Sequence, residues 1–138
     1  MSQSKTQFTV YRLDHLVLTV KDIPRTVDFY TTVLGMHAVV FDVADGTRRQ
    51  SLSFGQSKIN LHEAGQEFLP KAHVPTAGSA DLCFLTETSL HDWMAHLDAH
   101  RIDIAEGPVR RTGAQGPIQS LYIRDPDLNL IEISVPCD

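Results

Sequence analysis

The sequence predicts an α+β fold built from two consecutive βαβββ modules in a single domain of 138 residues. Three observations point there. A strand, an amphipathic helix and three further strands can be read between residues 11 and 64, and the same order recurs between 80 and 136. The stretch between them, 65–79, is broken by Gly and Pro and shows no periodicity, so it reads as a linker. Ionisable residues also stand at equivalent places in the two halves, inside strands that are otherwise apolar.

Residues 1–10 form a polar arm that could add a short strand. In the segment 13–20, Leu16, Leu18 and Val20 fall on one face of a strand, with His15, Val17 and Thr19 on the other. Asp22 and Pro24 mark a helix start: one supplies a capping oxygen, the other suits a first turn that needs no backbone donor. Ile23, Val27, Tyr30 and Leu34 make the apolar stripe, and Gly35 terminates it. Strands follow at 37–43, 50–54 and 58–63, the first two joined by an Asp45-Gly46 turn.

The second half restarts with a strand at 80–86. Ser89 and Asp92 then have capping-box spacing, and Leu90, Trp93, Met94 and Leu97 form a buried helical stripe. Strands are expected at 102–109, 120–124 and 130–135, separated by a loop at 113–116 and a turn over Asp125, Pro126, Asp127, Leu128 and Asn129.

Composition narrows the class. A hydrophobic content of 42% supports a packed core. A net charge of -5, with Arg48-Arg49 and Arg110-Arg111 as isolated pairs, argues against nucleic acid as a partner, since phosphate binding needs clustered cations. No apolar run approaches the roughly 20 residues of a membrane span, and the first ten residues lack the apolar stretch of a signal peptide. Cys83 and Cys137 do not make a disulfide framework. The expectation is a soluble, reduced, cytoplasmic protein.

The repeat singles out particular residues. Offset by 66 positions, the segment 13–18 falls on 79–84 and His15 on Asp81. Offset by 72, Ile59-Asn60-Leu61 falls on Ile131-Glu132-Ile133, and Asn60 on Glu132. An unpaired buried carboxylate costs several kcal/mol, and a divalent cation would offset that cost. If a pseudo-twofold relates the halves, His15, Asn60, Asp81 and Glu132 are expected to converge on one point.

Three segments resemble the vicinal-oxygen-chelate superfamily of glyoxalases, bleomycin-resistance proteins and dioxygenases. They are the strand LDHLVLTV at 13–20, the helix PRTVDFYTTVLGM at 24–36 and the closing hairpin YIRDPDLNLIEI at 122–133. The resemblance implies paired modules forming a cup-shaped mixed sheet with helices on its outer face. It implies a divalent metal in the cup (zinc, manganese, nickel, iron or magnesium), with His15 and Glu132 at ligand positions. Asp81 stands where many members carry histidine, Asn60 where glyoxalases carry glutamate, and Leu128 where the closing turn usually has glycine. One histidine with two carboxylates suits the harder cations about as well as iron.

The activity so implied is that of a metal-dependent, glyoxalase-like lyase or isomerase acting on a small-molecule substrate, oxygenated and chelated through neighbouring oxygens. His15, Asp81 and Glu132 would hold the metal, either carboxylate could detach to act as base, with Glu132 as the catalytic residue, and Asn60, His62 and Arg124 would meet the substrate. A metal-free ligand-sequestering protein and an extradiol-type dioxygenase are the other activities the family offers. A homodimer is expected, with modules pairing within one chain or across two.

Each residue also has a plainer reading. His15 can be a histidine bonded to backbone, Glu132 an ion-pair partner of Arg124, and Asp81 a cap at the start of a strand. His91, His96 and His100 read as a solvated helix face, His73 as a loop residue and Cys83 as a small buried thiol. Of Tyr122 and Arg124, one is expected to line the cavity and the other to pack outward.

Overall fold

The computed structural model describes residues 7–138, so residues 1–6 of the expected polar arm lie outside the described residues; residues 7–14 carry no strand. The first module is β1 (His15–Val20), α1 (Ile23–Thr32), β2 (His37–Asp42), β3 (Arg48–Phe54) and β4 (Ser57–Glu63). The second is β5 (Asp81–Leu85), α2 (Leu90–Ala99), β6 (Glu106–Gly113), β7 (Gly116–Arg124) and β8 (Leu130–Pro136). The βαβββ order therefore occurs twice, as the repeat predicts.

Each module forms a four-stranded mixed sheet, ordered β1-β4-β3-β2 in one and β5-β8-β7-β6 in the other. The opening strand of each module runs parallel to its closing strand, and the remaining pairs are antiparallel. The two offsets found in the sequence are realised as register: Val17 pairs with Asn60, and Cys83 pairs with Glu132.

Both helices begin as their residues dictate. The Asp22 carboxylate accepts from the Arg25 backbone N–H at 2.9 Å, and the Ser89 hydroxyl oxygen from that of Asp92 at 3.1 Å. At the far end of α1, Val33 closes the helix and Gly35 follows with a φ of +70°, a region glycine enters without strain. The linker residue Phe68 folds back onto the first sheet, where the Arg49 guanidinium lies 3.5 Å from its ring centre.

The sixth strand differs from expectation. Ile102 and Ile104 pack against the core as irregular chain, and the ladder begins only at Glu106. Glu106 pairs with Tyr122 and Val109 with Ser120, so the register shifts between them. Gly107 sits in that shift at a φ of +109°, where a Cβ would collide with the Ser120 carbonyl oxygen. Apolar spacing shows that this segment touches the core; it does not show where a neighbouring strand accepts its hydrogen bonds. The expected loop at 113–116 is correspondingly only a tight turn between β6 and β7.

One core serves both modules. Leu18, Val20, Leu52, Ile59 and Leu61 of the first sheet pack with Tyr30 of α1, Leu97 of α2, and Leu121, Ile123, Ile131 and Ile133 of the second sheet. Phe54 of β3 meets Phe84 of β5 edge to face at 5.3 Å between ring centres. His96, expected on a solvated face, is half-buried with its Nε2 2.9 Å from the Val33 carbonyl oxygen. The expectation fails because that carbonyl belongs to the other module, which the periodicity of α2 alone does not reveal.

Candidate active site

Strand alternation sorts each sheet into a core face and an opposite face. In the first sheet His15, Val17 and Thr19 of β1, Lys58, Asn60 and His62 of β4, and Arg49 and Ser51 of β3 share the face turned away from the core. In the second sheet Asp81 and Cys83 of β5, Glu132 and Ser134 of β8, and Ser120, Tyr122 and Arg124 of β7 share the equivalent face. The sequence-predicted site residues thus all lie on faces opposite the core.

The second module's face is a cup. A cavity of about 390 Å³ is lined by Asp81, Glu106, Arg111, Tyr122, Arg124 and Glu132. A second, of about 690 Å³, adjoins it and extends under the β6–β7 turn past Cys83, Leu85, Ile118 and Pro136. Tyr122 and Arg124 both line the smaller cavity, which corrects the expectation that one would pack outward. They are two positions apart on one strand and so share a face.

Glu132 is held by serines. The Ser120 hydroxyl donates to its Oε2 at 2.5 Å, the Ser134 hydroxyl reaches the same oxygen at 3.3 Å, and the two hydroxyls lie 2.7 Å apart. Both serines are fully buried. Neither was singled out in the sequence, although they occupy the cavity-facing positions of β7 and β8 nearest Glu132. Cys83, expected to be buried, is instead exposed to the larger cavity. Partial burial and the neighbouring Glu132 hold its thiol above the ordinary cysteine range, although its bond to Ser134 pulls the other way. That makes it a poor nucleophile.

Asp81 and the rest of the cup are positioned by the closing turn. The Asp125 Oδ1 accepts from the backbone N–H groups of Asp127 and Asn129, each at 2.9 Å. The Asn129 amide donates to Asp125 Oδ2 at 2.8 Å and accepts from the Ala80 backbone N–H at 2.8 Å. The turn between β7 and β8 therefore anchors the chain immediately before Asp81.

The first module's face is different. His15 is half-exposed, and its Nδ1 lies 2.8 Å from the exposed carboxylate of Asp14. His62 is buried beneath the linker, edge to face with Phe68 at 5.4 Å, beside a cavity of about 220 Å³ lined also by Val17, Thr19, Pro70 and Lys71. Burial first, and the Arg49 charge second, hold its imidazole below the ordinary histidine range. Asn60 Oδ1 is buried with no hydrogen-bond partner among the described residues, an orphaned acceptor on the predicted ligand face.

His15, Asn60, Asp81 and Glu132 do not converge within one chain. Asp81 and Glu132 share a cavity, while His15 and Asn60 belong to the other sheet and line neither cavity of the cup. Among the described residues no three His, Cys, Asp or Glu side chains gather closely enough to hold a metal ion. The cavities keep the two sheets separate: those of the cup are lined by second-module residues, and the one beside His62 by the first module and the linker. As a metal site, the donor set is split. Two carboxylates stand in the cup, and the imidazole stands on an open face elsewhere.

Comparison with known proteins places this arrangement. Residues 12–133 match the profile of the Glyoxalase/Bleomycin resistance protein/Dioxygenase superfamily. The chain is 54% identical over 132 residues to a glyoxalase domain-containing protein of Mycosarcoma maydis, covering 96% of this chain and 72% of that protein. It is 56% identical over 128 residues to a virulence protein of Salmonella typhimurium, covering 93% of this chain and 86% of that one. An integron cassette protein from the mobile metagenome of Vibrio cholerae superposes with a TM-score of 0.88 at 55% identity, over 96% of this chain and all of the other. No helix among the described residues is long and apolar enough to cross a membrane.

Proposed function

The chain belongs to the glyoxalase, bleomycin-resistance and dioxygenase superfamily, and we propose that it is a metal-dependent lyase or isomerase whose active site is completed by a second copy of itself. The observation that carries this reading is the split donor set: Asp81 and Glu132 face one cup, and His15 stands half-exposed on the other sheet, outside that cup. A twofold dimer that lays the first module of one chain over the second module of its partner would bring the three donor types together twice, once in each cup.

The residues fit a hard divalent cation in kind: two carboxylates and one imidazole, with an orphaned amide oxygen at Asn60 on the same face as the imidazole. When bound, such a cation supplies Lewis acidity to two neighbouring substrate oxygens. The chain's own contributions are distinct. Ser120 and Ser134 fix the Glu132 carboxylate through Oε2, which aims this group as the proton-accepting base. Arg124 and Tyr122 line the cup beside it as substrate contacts. Asn60 and His62 complete the other wall from the first module. Asn60 cannot ionise, so proton movement falls to Glu132.

Manganese titration of the purified protein tests this. The wild type is expected to bind one ion per chain, and both His15→Ala and Glu132→Gln to lose it. An equal mixture of the two variants, unfolded and refolded together, is expected to regain about a quarter of the sites, because half of the dimers are mixed and each of those has one intact site. Absence of stoichiometric manganese in the wild type, or full retention in both variants, overturns the metal-dependent reading in favour of a ligand-sequestering protein. Loss in both variants without recovery in the mixture overturns the shared site.

A further inference from the structure

We propose that the cup of the second module selects a small amphipathic monocarboxylate, with Arg111 as the residue that recognises the carboxylate. This rests on the metal-dependent reading above and adds a substrate class to it. Arg111 lines both cavities of the cup. Its guanidinium is held in place from three sides: Nε donates to the Tyr122 hydroxyl oxygen at 3.0 Å, Nη1 to the Arg110 carbonyl oxygen at 3.1 Å, and Nη2 lies 3.4 Å from the Glu106 carboxylate. The side chain nevertheless remains 40% exposed, so a held cation faces open space. A guanidinium fixed beforehand loses less rotational freedom when it captures an anion, and its planar fork matches a carboxylate.

Charge points the same way. The smaller cavity holds three carboxylates, Asp81, Glu106 and Glu132, against two guanidiniums, Arg111 and Arg124. A divalent cation turns that net single negative charge into a single positive one, and one carboxylate on the substrate neutralises it. The shape supplies the rest. Arg111, Tyr122 and Glu132 border both cavities, while the larger one continues between Leu85, Ile118, Pro117 and Pro136. An oxygenated, anionic head fits the polar cavity, and an apolar tail of a few carbons fits the second.

The test uses the full chain with manganese added, its occupancy measured first by water-proton relaxation. Binding of leucic acid, the hydroxy analogue of leucine, is then compared with that of its primary amide by calorimetry. The acid is expected to bind at least about tenfold more tightly, the scale of one charged hydrogen bond. Arg111→Gln is expected to erase the preference, and Glu106→Gln, which releases the guanidinium from its ion pair, to widen it. Manganese bound with acid and amide bound alike, or with neither bound, overturns the carboxylate inference and leaves the metal reading standing. A preference unchanged in Arg111→Gln overturns the role of Arg111. Failure to retain manganese overturns the metal reading, and the inference with it.

Discussion

The Tyr30 hydroxyl donates a 2.6 Å hydrogen bond to Asp125 Oδ2, joining the first module's helix to the second module's closing turn. Both partners are buried, and among the described residues the Asp125 carboxylate's further donors lie in its own turn. Burial and the adjacent carboxylate push the phenol far above the ordinary tyrosine range, so it stays a donor throughout the working pH range. Tyr30→Phe keeps the ring in the core and removes only this donor. A hydrogen bond to a charged group contributes about 1.5–3 kcal/mol, and urea unfolding is expected to show a loss of that size. A variant as stable as the wild type would mean that the bond does not couple the modules.

Residues near this junction show what the sequence could and could not reveal. The helix carrying Tyr30 and the turn carrying Asp125 are the segments most clearly legible, because caps, apolar stripe and turn residues all act locally. The offsets of the repeat also agree with the register, in which Val17 pairs with Asn60 and Cys83 with Glu132. Alternation placed His15, Asn60, Asp81 and Glu132 on the correct faces. It could not say which faces oppose each other, since that depends on how two modules share a core. The role of Ser120 and Ser134 as partners of Glu132 was not legible for a related reason: a serine on a strand signals no partner until its neighbour across the ladder is known.

Leu128 tests the cost of an unusual backbone. It occupies the closing turn at a φ of +69° and is 67% exposed, so it packs little while adopting a conformation that costs a branched side chain about 1–2 kcal/mol. Glycine takes that conformation freely but loses more chain entropy on folding, about 0.5–1 kcal/mol. Leu128→Gly is therefore expected to stabilise the fold by up to about 1 kcal/mol. A drop in thermal midpoint would show instead that the exposed leucine makes a contact in the assembled protein.

His62 predicts a pH dependence. Its folded pKa lies below its unfolded value, so the unfolded chain takes up a proton more readily. The stability associated with the neutral, buried ring is fully present above the unfolded histidine value near 6.5 and is lost as pH falls through the lower folded value. His62→Gln is expected to flatten the stability profile as pH falls below the unfolded histidine value near 6.5. Denaturant melts at closely spaced pH values measure it, and an unchanged slope in the variant would assign the dependence to other groups.

Ser120 offers the sharpest probe of Glu132 that leaves the carboxylate in place. Its buried hydroxyl gives Glu132 Oε2 the shorter of its two serine bonds. Ser120→Ala removes that donor without altering charge or strand register, so Glu132 gains rotational freedom and loses its aim into the cup. Groups that orient a metal-binding carboxylate commonly contribute about 10- to 100-fold in affinity. Manganese affinity is expected to fall within that range while stability changes by about 1–2 kcal/mol. Affinity at the wild-type level in a folded variant would show that Ser134 alone suffices to orient Glu132, and that Ser120 is there for packing.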